Sequence, residues 1–480
     1  MTTITSAAGA GAAPQERRIP AWLKYGSIIT TTFVVCWAIV LWYWRITDQD
    51  PGTGEMVLTL LILPMALLLA FWGAHKAVAA RDAAEFPSTS KSASASAATD
   101  ANAATATPVL AIVAAALRCP YGTSAEELAG AIAENEARAD LDKELVDDNG
   151  FPVMAARSDD ALDEVLQDEI AEWLASQGTG QLQLSDEQWR ALTLATAVAS
   201  ELGSQAAADW MPAEGAPPML QLKLLLPEDW PIEVRRAATM WLKHTVSQYG
   251  WPAAAIATLQ VHEQPDRLSP TAILQQLIPA TPDNKPLVAI VIACASLIGQ
   301  ESVDRLSASS ALFASAQSRG QIPGEGAAGL LLTDLHQAAS IDGADFAVLG
   351  PVYERARDTS ADTSRRVDST LLLELVGQIR KAAPVDVADI AMIVADTAHR
   401  PNRVLELMGL TAPTIPQLDA TDDVVRIGLG SGSCGTVPFV TVLALARHYA
   451  LERSAPVLCI SNEDPLLRAA ALVRPQPAVN

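Results

Sequence analysis

The sequence predicts a layered α/β domain preceded by two membrane-crossing helices. Three observations carry this. Short, almost continuously apolar runs alternate with helical patterns from residue 108 onward. Two uncharged stretches near the N-terminus each approach the roughly 20 residues that cross a bilayer. A tract rich in Ser, Ala and Thr separates the two parts.

The first uncharged stretch is "YGSIITTTFVVCWAIVLWYW" (Tyr25–Trp44), and the second is "MVLTLLILPMALLLAFWGA" (Met56–Ala74). A signal peptide has a shorter apolar core and no second span after it. A buried core hairpin is the alternative, but Trp and Tyr at the span ends suit the interfacial belts of a membrane. Arg17, Arg18 and Lys24 precede the first span, and Lys76 and Arg81 follow the second. The connecting loop carries Asp48, Asp50 and Glu55 against Arg45. The positive-inside bias therefore predicts a cytoplasmic tail over 1–24 and a transmembrane hairpin over 25–76. The large domain is then cytoplasmic, with the periplasm as the alternative. Residues 77–107, including "FPSTSKSASASAATDANAATATP", read as a flexible linker.

The chain has 55 acids against 33 bases, a formal charge of −22. Nucleic acid is excluded as a partner, because Lys and Arg must neutralise its phosphates. Electrostatic docking on an anionic leaflet is disfavoured for the same reason. The cysteines fall at 36, 119, 294, 434 and 459, with no short spacing. Neither a disulfide framework nor a metal cluster follows from that pattern, and no cofactor is indicated. Unpaired thiols agree with a reducing compartment.

In the globular part, "VLAIVAAALRCPYGTSAEELAGAIAENEA" reads as strand, turn and helix, with a Thr/Ser cap and a Glu beyond it. Residues 140 to 215 are acidic and predict helices without strands. "LQLKLLLP" predicts a strand, and "PIEVRRAATMWLKHTVSQYG" a helix opened by Pro231. "PLVAIVIACAS", "DFAVLGPV", "VADIAMIVAD", "VVRIGLG" and "APVLCIS" predict further strands, with "STLLLELVGQIRKAA" as a helix among them. No tandem repeat is visible, although strand and helix patterns alternate on both sides of residue 290. The stretch "QIPGEGAAGLLLTD" (Gln321–Asp334) reads as a loop entering a buried strand. A phosphate-cradling loop needs more glycines at fixed offsets and a following helix.

In order, these segments resemble the ketosynthase branch of the thiolase-like fold. The opening strand, turn and helix are similar to those of β-ketoacyl synthases. "VAIVIACASLIGQESVDRLSASSALFASAQSRGQIPGEGAAGLLLTD" resembles their central passage, and "IGLGSGSCGTVPFVTVLALA" their late glycine-rich turn and helix. "APVLCISNEDPLLRAAALV" looks like the closing strand pair. The resemblance implies a first half over 108–285, carrying an acidic helical insertion, and a second half over 286–480. It also implies that Pro323, Gly324, Glu325 and Gly326 form an architectural turn. Its glycines would permit positive φ, and its glutamate would take free backbone donors.

Ketosynthase chemistry needs an activated cysteine and two histidines around a thioester carbonyl. The family nucleophile lies in the first half, yet no cysteine stands between Tyr121 and Ala293. Aligned on Gly428, Gly432 and Gly435, one histidine position holds Leu429, and the family lysine falls on Val424. His399 follows Ala398 as in the family's Ala-His-Gly turn, but Arg400 and Pro401 replace the small residues. Aligning on Glu406 instead puts Ala395 at that position. The expectation is therefore a catalytically inactive, membrane-anchored adaptor that binds proteins. Its general layout is similar to bacterial accessory proteins, including adaptors of type VI secretion systems. A homodimer is implied by the resemblance alone.

Two rival functions stay open. One is an acyltransferase or hydrolase using Cys434 or Cys459 with His399, which needs sulfur and imidazole within hydrogen-bond reach. The other is an acyl-chain or lipid binder, which needs an open apolar pocket of a few hundred cubic ångströms. For both cysteines, packing in the core is the plainer role. His244 and His262 are expected at the surface, and Arg235 and Arg236 on a solvated helix face.

Overall fold

In the computed structural model, residues 109–476 are described, apart from 213–215, 259–268, 279–285, 342, 344, 365 and 384. The tail, the membrane hairpin and the linker lie outside the described residues, as do Cys36 and His262. Among the described residues, no helix is long and apolar enough to cross a membrane.

A mixed ten-stranded sheet runs in the order β10-β9-β11-β12-β8-β1-β7-β6-β4-β5. Its first five strands along the chain are β1 (Leu110–Arg118), β4 (Leu220–Leu225), β5 (Ile256–Thr258), β6 (Val288–Ser296) and β7 (Glu325–Thr333). The other five are β8 (Ala347–Ala356), β9 (Met392–Ala395), β10 (Val424–Arg426), β11 (Val457–Ser461) and β12 (Leu467–Pro475). Read inward from its outer edge, each set has the same order: third, second, fourth, fifth, first. In each set the fifth strand runs antiparallel to its neighbours, and the second, third and fourth are parallel. The two sets meet where β1 pairs antiparallel with β8, at Leu110↔Leu349, Ala111↔Val348 and Ile112↔Ala347. The chain thus repeats one architectural unit twice with no repeat in its residues. The division expected at 285/286 falls just ahead of β6, which lies inside the first set.

Both faces of the sheet are covered, which is why its strands read as unbroken apolar runs. In β6, Ala289, Val291 and Ala293 face one core cluster while Val288, Ile290 and Ile292 face another. The helices follow the same division. They are α1 (Ala125–Ala133), α2 (Glu164–Leu174), α3 (Asp186–Trp210), α4 (Ile232–Ser247), α5 (Pro270–Leu277) and α6 (Gln300–Ala308). Then come α7 (Leu335–Ala339), α8 (Thr370–Ala382), α9 (Pro401–Thr414), α10 (Gly428–Ser431) and α11 (Val437–Arg453). Helices α3 and α4 cover the outer face of the first set; α8 and α9 cover that of the second. Helix α11 is buried along most of its circumference and packs on strands of both sets. A helix apolar all round belongs in such an interior position.

Between residues 140 and 215 the expectation of helices alone fails. Strands β2 (Asp140–Val146) and β3 (Pro152–Ala155) form a separate two-stranded sheet there. In "DLDKELV" only Asp142 and Leu145 are buried, so the period-two alternation that marks a strand is missing. The helical part of the expectation holds for α2 and α3. Helix α3 opens on a capping box, with Gln188 N–H donating to Ser185 Oγ and Ser185 N–H to Gln188 Oε1.

Candidate functional site

Glu325, the first residue of β7, is wholly buried. Its carboxylate accepts four hydrogen bonds. Oε1 takes Arg190 Nη2 at 2.5 Å and the Ser158 backbone N–H at 2.7 Å. Oε2 takes Arg190 Nε at 2.8 Å and Ser296 Oγ at 2.9 Å. A buried ion pair offsets its desolvation only when such bonds fill the remaining lone pairs, and here they do. The one backbone donor that Glu325 takes comes from Ser158, 167 positions away, and not from the turn itself, where the resemblance put it. Its charged partner was not anticipated. Arg190 stands among "RALTLATAVAS", a lone base on the apolar face of α3, and that placement was the available signal.

The turn ahead of Glu325 is zipped to the second glycine turn. Gly324 N–H donates to Ser433 O (3.1 Å), and Ser433 N–H donates to Ile322 O (2.8 Å). Gly324 and Gly326 do not adopt positive φ, contrary to expectation; in this region Gly432 (+59°) and Gly435 (+63°) do. Close approach is what requires Gly324, since a Cβ there would lie 2.0 Å from Ser431 O. At Gly326 the nearest atom would be Arg118 O, at 3.1 Å.

Cys434 lies at this joint, just before α11, and its Sγ–H points to Ser431 O at 3.6 Å. A helix N-terminus lowers a thiol pKa and burial raises it; here burial wins and pushes the Cys434 thiol well up. Cys459 sits in the middle of β11, between Val394 and Ala471, and burial pushes its thiol up as well. Cys119 is raised to about 11 and Cys294 to about 12, again chiefly by burial.

His399 is in the loop after β9. Its ring meets Phe313 edge-on at 4.8 Å, it has a backbone hydrogen bond to Gly320, and its buried Nε2 has no partner. Burial holds its pKa below the usual imidazole range. No hydrogen bond joins His399 to Cys434 or Cys459. His244 is not a free surface residue: it stacks on Trp173 at 4.5 Å. Arg235 has a buried Nε without a partner, so its face is not simply solvated.

The loops leaving the parallel strands β9 and β11 hold a second polar cluster that the sequence did not suggest. Asp396 is buried and accepts the backbone N–H groups of Asn462 (2.8 Å) and Glu463 (3.1 Å), and the Ser461 hydroxyl. Burial raises its carboxyl to about 6, against those hydrogen bonds, which lower it. Arg400, which had figured only as a departure from a family turn, binds Glu463 and Asp362 at 2.7 and 3.2 Å. Arg403 reaches Asp362 at 2.6 Å, and Arg468 holds Glu406 by two bonds at 2.8 and 2.9 Å.

Among the described residues, no group of three or more His, Cys, Asp or Glu side chains could hold a metal ion. A cavity of about 10 Å³ lies beside Cys119, Leu128, Ile427 and Thr441, no larger than one water. A cavity of about 280 Å³ opens at Val113, Gln205, Asp345 and Arg447, where β1 and β8 part. Gln205, Asp345 and Arg447 line it, and Cys434, Cys459 and His399 do not.

No protein-family model matches the chain, and no curated protein does either. Solved structures do. The ishigamide ketosynthase/chain length factor aligns at 14% identity and TM-score 0.50, over 77% of this chain and 100% of that one. A type II PKS acyl-carrier protein in complex with its ketosynthase, bound to the hexaketide, aligns at 12% identity and TM-score 0.53, over 77% and 99%. The ketosynthase from module 6 of the bacillaene synthase from Bacillus subtilis 168 aligns at 12% identity and TM-score 0.52, over 77% and 72%. Identities this low speak to the fold alone. With the strand order found in both halves, they establish that the described part of this chain has the thiolase-like fold of the ketosynthases.

Proposed function

We propose that this chain is a membrane-anchored, catalytically inactive ketosynthase-like protein that works by binding other proteins. Its place is at a bacterial inner membrane, as an accessory or adaptor of a type VI secretion system. The observation that carries the reading is the state of the candidate thiols. Cys434 and Cys459 are buried, their thiols are pushed up, and His399 is engaged with Phe313 and Gly320. Acyl transfer needs a thiolate made by a neighbouring base and donors for an oxyanion. Glu325 and Arg190, by contrast, form a buried, hydrogen-bonded ion pair that ties β7 to α3. The uncharged stretches at 25–76 supply the anchor, with the domain on the cytoplasmic side.

The test is intact-mass measurement of the purified chain after incubation with an acyl-thioester probe. The expected outcome is no covalent adduct. A stoichiometric adduct, lost in Cys434→Ser or Cys459→Ser, overturns the reading in favour of an acyltransferase.

A further inference from the structure

The geometry points to the two-stranded sheet β2–β3 as a docking surface for a basic protein partner, with Phe151 as its anchor. The inference rests on the protein-binding reading above. One face of the hairpin is closed: Leu145, Val153 and Ala155 pack on Ile298, Val303 and Leu312. The opposite face carries the cross-strand pair Leu141↔Met154, with Leu141 58% exposed. At the tip, Phe151 is 66% exposed. Three of the eleven exposed large apolar side chains among the described residues, Leu141, Val146 and Phe151, fall on this one hairpin.

The backbone of the tip is braced by hydrogen bonds. Asp147 Oδ1 accepts the backbone N–H groups of Asn149 and Phe151, each at 2.9 Å. Asp147 N–H donates to Phe151 O at 2.8 Å, and Gly150 turns the chain at φ +78°. An aromatic held in place before binding loses little entropy when a partner covers it, which is how interface anchors behave. A single exposed apolar side chain is ordinary on a protein surface; it is the grouping of Leu141, Val146 and Phe151 on one hairpin that marks a contact surface.

Charge decides among the occupants. Residues 140–164 hold nine acids and two bases, and one of the bases, Arg157, is already paired with Asp142 and Glu144. A second copy of this chain docking through a two-fold axis would set acid against acid. An anionic leaflet is repelled in the same way. A protein with a basic rim around an apolar pocket is complementary on both counts.

The experiment places a photo-crosslinking benzoylphenylalanine at Phe151 of the full chain in its native membrane, with Leu405 on α9 (58% exposed) as a second site. The expected outcome is a protein adduct at 151. That protein, once purified, binds the detergent-solubilised full chain about tenfold more weakly after Phe151→Ser. Its binding also falls steeply as salt approaches about 1 M, where screening shortens to ~3 Å. Adducts at 151 to a second copy or to lipid, or affinity indifferent to Phe151→Ser, overturn the inference. A protein adduct at 405 with none at 151 sinks this surface and leaves the adaptor reading standing. No protein adduct at either site counts against both.

Discussion

Asp396 spends its charge in an unusual place, and the cost has a sign. Its folded pKa, about 6, lies above the ordinary 3.8 because burial disfavours the carboxylate. The folded state therefore holds this proton more tightly than the unfolded chain does. The stabilisation it brings is complete below about pH 4 and is lost as pH rises toward 6. Two units correspond to ~3 kcal/mol. Asp396→Asn keeps the shape, and its amide can still accept from Asn462 and Glu463 while donating to the Ser461 hydroxyl. Stability measured by denaturant titration should then differ least between the two proteins near pH 4, with the variant gaining on the wild type up to pH 7. A constant difference across that range would show that Asp396 does not titrate there. The Arg190–Glu325 pair is the opposite case: each charge is satisfied by the other, and neither alone would be tolerated at that depth. Glu325 is marked in the sequence by the two glycines that frame it; Arg190, 135 positions away, is marked only as a lone base on an apolar helix face, which does not name its partner.

The two glycine turns form an element of their own, because each supplies the backbone partners of the other. Gly324 faces Ser431 O at a distance no Cβ can occupy, whereas Gly326 has about an ångström more room. Gly324→Val should therefore cost about 3 kcal/mol or more, and Gly326→Val less. Thermal melting of the two variants checks the order; equal, small losses would mean the turns can part without harm. Local elements were legible where one physical rule governed them. The buried strands declared themselves as apolar runs, α1 by its Thr/Ser cap and α4 by Pro231 at its start. Strands β2 and β3 were hidden because the register shifts between Leu141 and Val146, which breaks the alternation that one wet face would otherwise give. The reason for the glycines was also misjudged. Steric approach between segments a hundred residues apart leaves no trace in the local sequence, while positive φ is the local habit of glycine.

At the scale of the whole molecule, the repeated five-strand unit was legible only as alternating strands and helices. Strand order is a matter of long-range pairing, and no residue repeat announced it. The fold followed from resemblance, and the solved ketosynthases agree with it. The anchor stands on composition alone. A reporter active only in the periplasm, fused at Asn480, should be silent, and a cytoplasmic reporter there should be active. The reverse pattern would put the large domain in the periplasm and move the partner search with it.

Strand β1 joins the two halves of the sheet, yet it comes first. Its partners on β7 lie more than two hundred residues further along, from Ala327 to Thr333, and those on β8 further still. A ribosome adds about 5–20 residues each second. For ten seconds or more, then, a nine-residue apolar strand has left the exit tunnel with neither neighbour made. The central strand of the finished molecule is, during its own synthesis, the longest-waiting exposed edge in it. Synthesis speed and chaperone supply should set the yield of this protein more than its final stability does.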